Sequence, residues 1–190
     1  MFENLSKYHI VLVSKSPRRR NLLKALGLEF STDAVDVDES IPDGIPPEKA
    51  ALFLAEKKAE AYPADDNSLV ITADTIVCLG KEVLGKPGGQ AEAEQMLKKL
   101  SGNVHDVITG VCIKTAEKRI LFSSTTEVHF KTLKEKEISH YIDVYKPYDK
   151  AGSYGIQEWI GYIGIDYIKG SFYNVMGLPV QRLYEELLKF

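Results

Sequence analysis

The apolar run HIVLV at His9–Val13 gives way at once to a helix signature, and this order of strand, tight turn and helix recurs along the chain. Ser16 suits an N-cap, Pro17 suits the first helical position, and Leu22, Leu23 and Leu26 lie close to one face before Gly27 ends the pattern. Further along, EFSTDAVDVDES reads as a strand with an acidic end. PPEKAALFLAEKKAEAY reads as a helix with Ala51, Leu52, Ala55 and Ala59 on its stripe. SLVITADTIVCLG is an apolar strand that turns at residues 80 and 81. A helix is predicted over Gln90–Leu100, ended by Gly102.

DVITGVCIKT and RILFSSTTEVHFK form a strand pair around a polar turn at 116–118. KEKEISHYIDVY is a helix facing inward through Ile138, Tyr141, Ile142 and Tyr145. The glycine-punctuated stretch 152–177 is expected to be mostly strand and loop, and Pro179 opens a last helix with Leu183 and Leu187 inward. This alternation specifies an α/β fold, with hairpins that make the twisted central sheet mixed and helices that flank it.

Three arginines, Arg18, Arg19 and Arg20, occupy the first turn of the first helix, where the macrodipole favours acidic groups. A bound anion resolves the conflict, because free backbone N–H groups and forked guanidinium donors both suit phosphate oxygens. The competing reading is a solvated basic face. Composition narrows the ligand: 24 Lys+Arg against 27 Asp+Glu give a net charge of −3, which argues against a general nucleic-acid-coating role and makes any positive patch local.

The 190 residues suit one domain, or one domain with two lobes. No stretch approaches the ~20 apolar residues that span a bilayer. The N-terminus lacks the long apolar region of a signal peptide. Cys78 and Cys112 form no CxxC pair and read as buried free thiols, so a cytoplasmic protein without membrane attachment is expected. The four histidines have no metal-binding spacing, and GxxxxGK[ST], GxGxxG and GxSxG are absent.

Asp74 interrupts an apolar strand, where a carboxylate needs a partner or a cation. DVDES brings Glu39 to another strand end. GKP at 85–87 presents Lys86 from a fixed turn, although read alone it is more simply an exposed turn lysine. DKAGSYGIQ places Lys150, two glycines and Gln157 close together, where the glycines either let backbone approach a ligand or mark bulges. Cations to hold phosphates, with carboxylates to hold Mg²⁺ or orient water, are what phosphoanhydride hydrolysis needs.

In order along the chain, SKSPRRRNLLKALG, DVDES, ADTIV, GKP, LSGNVHDVITGV, DKAGSYGIQ and GSFYNVMGLPV resemble the motifs of Maf proteins, the nucleoside triphosphate pyrophosphatases. The resemblance runs from about Leu12 to Leu187. It implies a single domain over 1–190, with a fold like that of the inosine triphosphate pyrophosphatases and two lobes around a cleft. The implied reaction is cleavage of a nucleoside triphosphate, dTTP or UTP in the branch resembled, to monophosphate and pyrophosphate, with Mg²⁺ or Mn²⁺. Modified pyrimidine triphosphates fall in the same class.

By the same resemblance, Asp74, Lys86 and Glu39 are catalytic, and Asp74 and Glu39 are the metal ligands. Ser14, Arg18, Arg19, Thr75 and Gln157 meet the substrate, joined by Lys150 from the inventory of cations. Whether Asp74 holds metal or acts as general base stays open at this point. A homodimer is also implied, as is the alternative of a non-catalytic nucleotide-binding regulator of cell division. The chain departs from the family pattern at Val13, where alanine is usual, and at Glu158-Trp159, which follow Gln157 where many members have glycine.

Overall fold

The computed structural model describes residues 2–42 and 44–190. In chain order the elements are β1 (His9–Val13), α1 (Pro17–Ala25), β2 (Ser31–Asp33), α2 (Pro47–Ala61), β3 (Ser68–Leu79), β4 (Glu82–Leu84), α3 (Gln90–Leu100), β5 (Val104–Lys114), β6 (Arg119–Phe130), α4 (Glu135–Tyr145), α5 (Trp159–Gly164), β7 (Ile165–Lys169), α6 (Phe172–Val175) and α7 (Val180–Leu187). Short 3₁₀ turns occur at Glu3–Leu5 and Ala151–Ser153.

The strand order is β2-β1-β3-β5-β6-β7, with β4 on β3. β1 runs parallel to β2 and β3, whereas β4 is antiparallel to β3 and β7 is antiparallel to β6. The fold is therefore α/β with a mixed sheet, as the alternation of patterns predicts. The chain forms two compact units, and β3, β5 and β6 contribute residues to both.

The first unit comprises the chain up to Asp74, Thr109–Ser124 and Gly177–Phe190. Ser16 caps α1 by accepting the Arg19 N–H at 3.4 Å, and Gly27 closes the helix with φ +77°. Val11, Val13 and Val70 share a buried cluster with Val35 and Tyr62 packed against it. β2 covers only three residues of the longer strand expected. Asp33 accepts the N–H of Ala34 and Asp38 that of Ser40, so aspartate side chains capture the backbone that a strand ladder would use.

In α2 the buried positions are Ala50, Ala51, Leu54, Ala55 and Ala59, so Leu54 takes the place expected for Leu52. The reason is the approach of the helix to β5. A Cβ built on Gly110 would lie 2.4 Å from the backbone of Leu52, so Leu52 is where main chain meets main chain. Ala55 and Ala59 pack on Cys112, and the Thr72 hydroxyl donates to the Ala55 carbonyl at 2.5 Å. Gly110→Ala should therefore force α2 off the sheet and lower the unfolding free energy by about 3 kcal/mol in denaturant titration.

The second unit comprises Thr75–Ile108 and Thr125–Met176. Its core joins Leu97 and Leu100 of α3, Ile138, Tyr141 and Ile142 of α4, Val107, Val128 and Phe130 of the sheet, and Tyr154, Ile156 and Ile160. Tyr145, expected on the inner face of α4, is 37% exposed and stacks on Tyr141 at the end of the helix.

The stretch expected to be mostly strand and loop contains helices α5 and α6 besides β7. Gly161 and Gly164 hide α5 from a propensity reading, yet tertiary packing demands one of them. A Cβ on Gly161 would sit 1.8 Å from the Ile156 carbonyl oxygen. Both cysteines are buried and unbridged, and burial pushes the Cys112 thiol up to about 11. Among the described residues no helix is long and apolar enough to cross a membrane.

Candidate active site

In the first unit, β3 carries Asp74 past the end of its pairing with β1, which stops at Thr72. The Asp74 side chain is largely buried, and its Oδ1 lies 2.6 Å from the ammonium of Lys58 on α2. The same ammonium lies 2.7 Å from Glu39 Oε1. Two carboxylates from separate segments thus converge on one cation. The acidic pair expected from the sequence is brought together, and the residue that joins it is one the sequence reading did not single out.

A signal for Lys58 was present. It stands four residues after Leu54 and seven after Ala51, on the buried side of α2, so it breaks an apolar face just as Asp74 does. The docking of α2 through Thr72 and Ala55 sets its reach.

The arginines divide. Arg19 donates from Nε to the Gly177 carbonyl at 2.7 Å and from Nη1 to the Ala73 carbonyl at 2.8 Å, so it braces the backbone next to Asp74. Burial lowers its pKa, opposed by the nearby Asp74 carboxylate. Arg18 is half-buried in the first turn of α1, and Arg20 is exposed. Ser14 accepts the Ser16 N–H at 3.2 Å, which places a second hydroxyl at the helix start.

In the second unit the Gly152 N–H donates to the Gly85 carbonyl at 3.1 Å, so the GKP turn bearing exposed Lys86 is tied to the DKAGSYGIQ segment. Gly152 has φ +67° and packs against Val77 of β3, two residues beyond half-buried Thr75. Lys150, expected among the cations, is buried, with its ammonium 2.7 Å from Asp149 Oδ1 and 3.1 Å from Glu158 Oε1. The Gln157 amide oxygen is buried with no hydrogen-bond partner among the described residues. A buried acceptor left in that state costs ~1–3 kcal/mol, which a ligand donor would recover.

His105 anchors the middle of that segment, its Nε2 2.7 Å from the Tyr154 hydroxyl and its ring edge-on to Phe130 and Tyr154. Burial, with a smaller push from His129, lowers its pKa from 6.5 to about 4. The folded state holds the neutral ring, so this contribution is complete above pH 6.5 and is lost as pH falls towards 4, where the unfolded chain binds the extra proton. Between those values the unfolding free energy should fall by about 3 kcal/mol more in the parent than in His105→Gln, measured by denaturant titration at each pH.

Residues 9–190 match the family described as Maf-like protein. A protein of Parabacteroides distasonis named dTTP/UTP pyrophosphatase is 57% identical over the whole of both chains. Proteins with the same name from Phocaeicola vulgatus and Porphyromonas gingivalis are 54% and 52% identical, with all of this chain covered and 100% and 98% of theirs. Among solved structures, a nucleoside-triphosphatase / dITP/XTP pyrophosphatase from Mycobacterium abscessus aligns with 66% of this chain and 75% of its own, at a TM-score of 0.41 and 13% identity.

Proposed function

The chain belongs to the Maf-like protein family, and from that premise we propose that it hydrolyses dTTP and UTP, and modified pyrimidine triphosphates of like shape, to the monophosphate and pyrophosphate. Relatives of that name matching it end to end support the reaction. The observation that carries the chemistry is the convergence of Asp74 and Glu39 on Lys58.

The carboxylates also fit a divalent metal. They are hard oxygen donors, two in number and already close to one positive charge, which is the protein share of a site that substrate phosphates and water complete. Mg²⁺ or Mn²⁺ there would stabilise the charge growing on the phosphate oxygens. Asp74 orients the attacking water and accepts its proton, since one of its oxygens is fixed by Lys58 and the other serves the water. Water attacks the α-phosphorus, the bond to the β-phosphate bridging oxygen breaks, and pyrophosphate leaves.

Arg18, Arg19 and Ser14 meet phosphate oxygens at the start of α1, and Arg19 also holds the Ala73 carbonyl in place. Lys86 and Lys150 complete the cations, with Lys150 acting through the carboxylates it pairs. Thr75 and Gln157 face the base, where the Gln157 amide oxygen accepts the N3–H of uracil or thymine. The whole of 1–190 serves as one catalytic domain, in the cytoplasm, with a small-molecule partner, no nucleic acid, and a homodimeric assembly that light scattering would test.

A panel of UTP, dTTP, CTP, dCTP and ATP with Mg²⁺, with products separated, tests the reaction. Pyrophosphate with UMP or dTMP is expected, with UTP and dTTP turned over roughly ten- to hundredfold better than the cytosine nucleotides. Release of orthophosphate with UDP, or no turnover, would refute it.

A further inference from the structure

An amide that reads a base must be prevented from turning over, because its two ends present opposite hydrogen-bonding character. The surroundings of Gln157 supply the restraint. A Cβ built on Gly155 would lie 2.9 Å from Gln157 Nε2, 2.9 Å from Glu158 Cδ and 3.1 Å from Glu158 Oε2. The amide nitrogen and the carboxylate therefore share the bare face of Gly155. A carboxylate attracts the amide NH₂ and repels the amide oxygen. Turned the other way, Gln157 would bring its oxygen towards that negative charge.

The carboxylate is itself held from two sides. The Tyr141 hydroxyl donates to Glu158 Oε2, and the Lys150 ammonium lies 3.1 Å from Oε1. Tyr141 is fully buried in α4, and its hydroxyl also accepts the Gly155 N–H at 3.0 Å. One hydroxyl thus joins the backbone of the turn to the side chain that follows Gln157. The Glu158 N–H donates to the Gly155 carbonyl at 3.0 Å and closes the turn.

We propose that Glu158, fixed by Tyr141 and Lys150, is a positioning residue for base selection: its negative charge draws the Gln157 amide nitrogen to its own side and leaves the amide oxygen as the buried acceptor for the base. This rests on the reading of Gln157 as the residue that recognises uracil and thymine. It gives a role to the glutamate that directly follows Gln157 in the chain. Glu158 touches no reacting atom, so its effect is on which base is accepted and not on the chemical step.

The test measures kcat and KM for UTP and CTP in the parent, Gln157→Ala, Glu158→Gln and the double variant. Glu158→Gln should lower the UTP-over-CTP preference in kcat/KM roughly tenfold, through KM and with kcat for UTP little changed. The double variant should match Gln157→Ala, because Glu158 acts only through that amide. If Gln157→Ala lowers the preference and Glu158→Gln keeps it, or the two effects add, the positioning role is overturned while the reading of Gln157 stands. If Gln157→Ala keeps the preference, the reading of Gln157 falls and the inference with it. Tyr141→Phe, which preserves every charge, carries the same test should Glu158→Gln fail to fold: a reduced preference supports the role, and an unchanged one overturns it.

Discussion

Asp74→Asn should lower kcat for UTP by ~10²–10⁴-fold while the protein keeps its fold and its affinity for nucleotide. The amide is nearly isosteric with the carboxylate, and its oxygen can still accept from the Lys58 ammonium 2.6 Å away, so α2 stays docked. What disappears is the negative charge. An amide neither takes a proton from water nor serves as a strong metal ligand, so both roles open to Asp74 fail together. Single-turnover rates with a parallel UTP binding isotherm separate the two effects. A variant with more than about half the parental rate would remove Asp74 from the site.

Lys58→Met should be the next most damaging change, lowering kcat by about 10²-fold and the unfolding free energy by ~1–3 kcal/mol. The Lys58 and Asp74 side chains are only 12% and 13% exposed, whereas Glu39 is 47% exposed, so water compensates one carboxylate and not the other. Methionine preserves the stem that packs along α2 and removes only the charge. The two carboxylates then face each other across an apolar methyl group, and a divalent cation is the natural replacement. Mg²⁺ should therefore raise the melting temperature of Lys58→Met more than that of the parent. Equal shifts would show that the carboxylates do not act as a pair towards a cation.

Elements set by local chemistry were legible in the sequence. The Ser16 cap and Gly27 bracket α1, Gln90–Leu100 forms α3 with Gly102 in a left-handed turn, and Gly80 turns β3 into β4. What was not legible depends on neighbours distant in sequence. α5 is helical despite two glycines because Ile160 and its surroundings are buried, and the close approach of Ile156 admits no side chain at 161. β2 stops at three residues because aspartate side chains take the backbone donors that would extend it.

The candidate site divides in the same way. Asp74 announces itself as a carboxylate in an apolar run. Lys58 carries the same kind of signal on a helix, masked by the second lysine beside it. The bracing of Ala73 and Gly177 by Arg19, and the enclosure of Lys150 between Asp149 and Glu158, follow only from tertiary structure. A lysine or arginine in a phosphate-like motif does not disclose whether it meets the ligand or orders the residues that do.

The assignment of Asp74 to a water attacking the α-phosphorus has a direct measurement. UTP is turned over with Mg²⁺ in ¹⁸O-labelled water, and both products are examined by mass spectrometry after brief reaction. One labelled oxygen is expected in UMP and none in pyrophosphate. Label in pyrophosphate with unlabelled UMP would place the attack on the β-phosphorus and contradict the role given to Asp74.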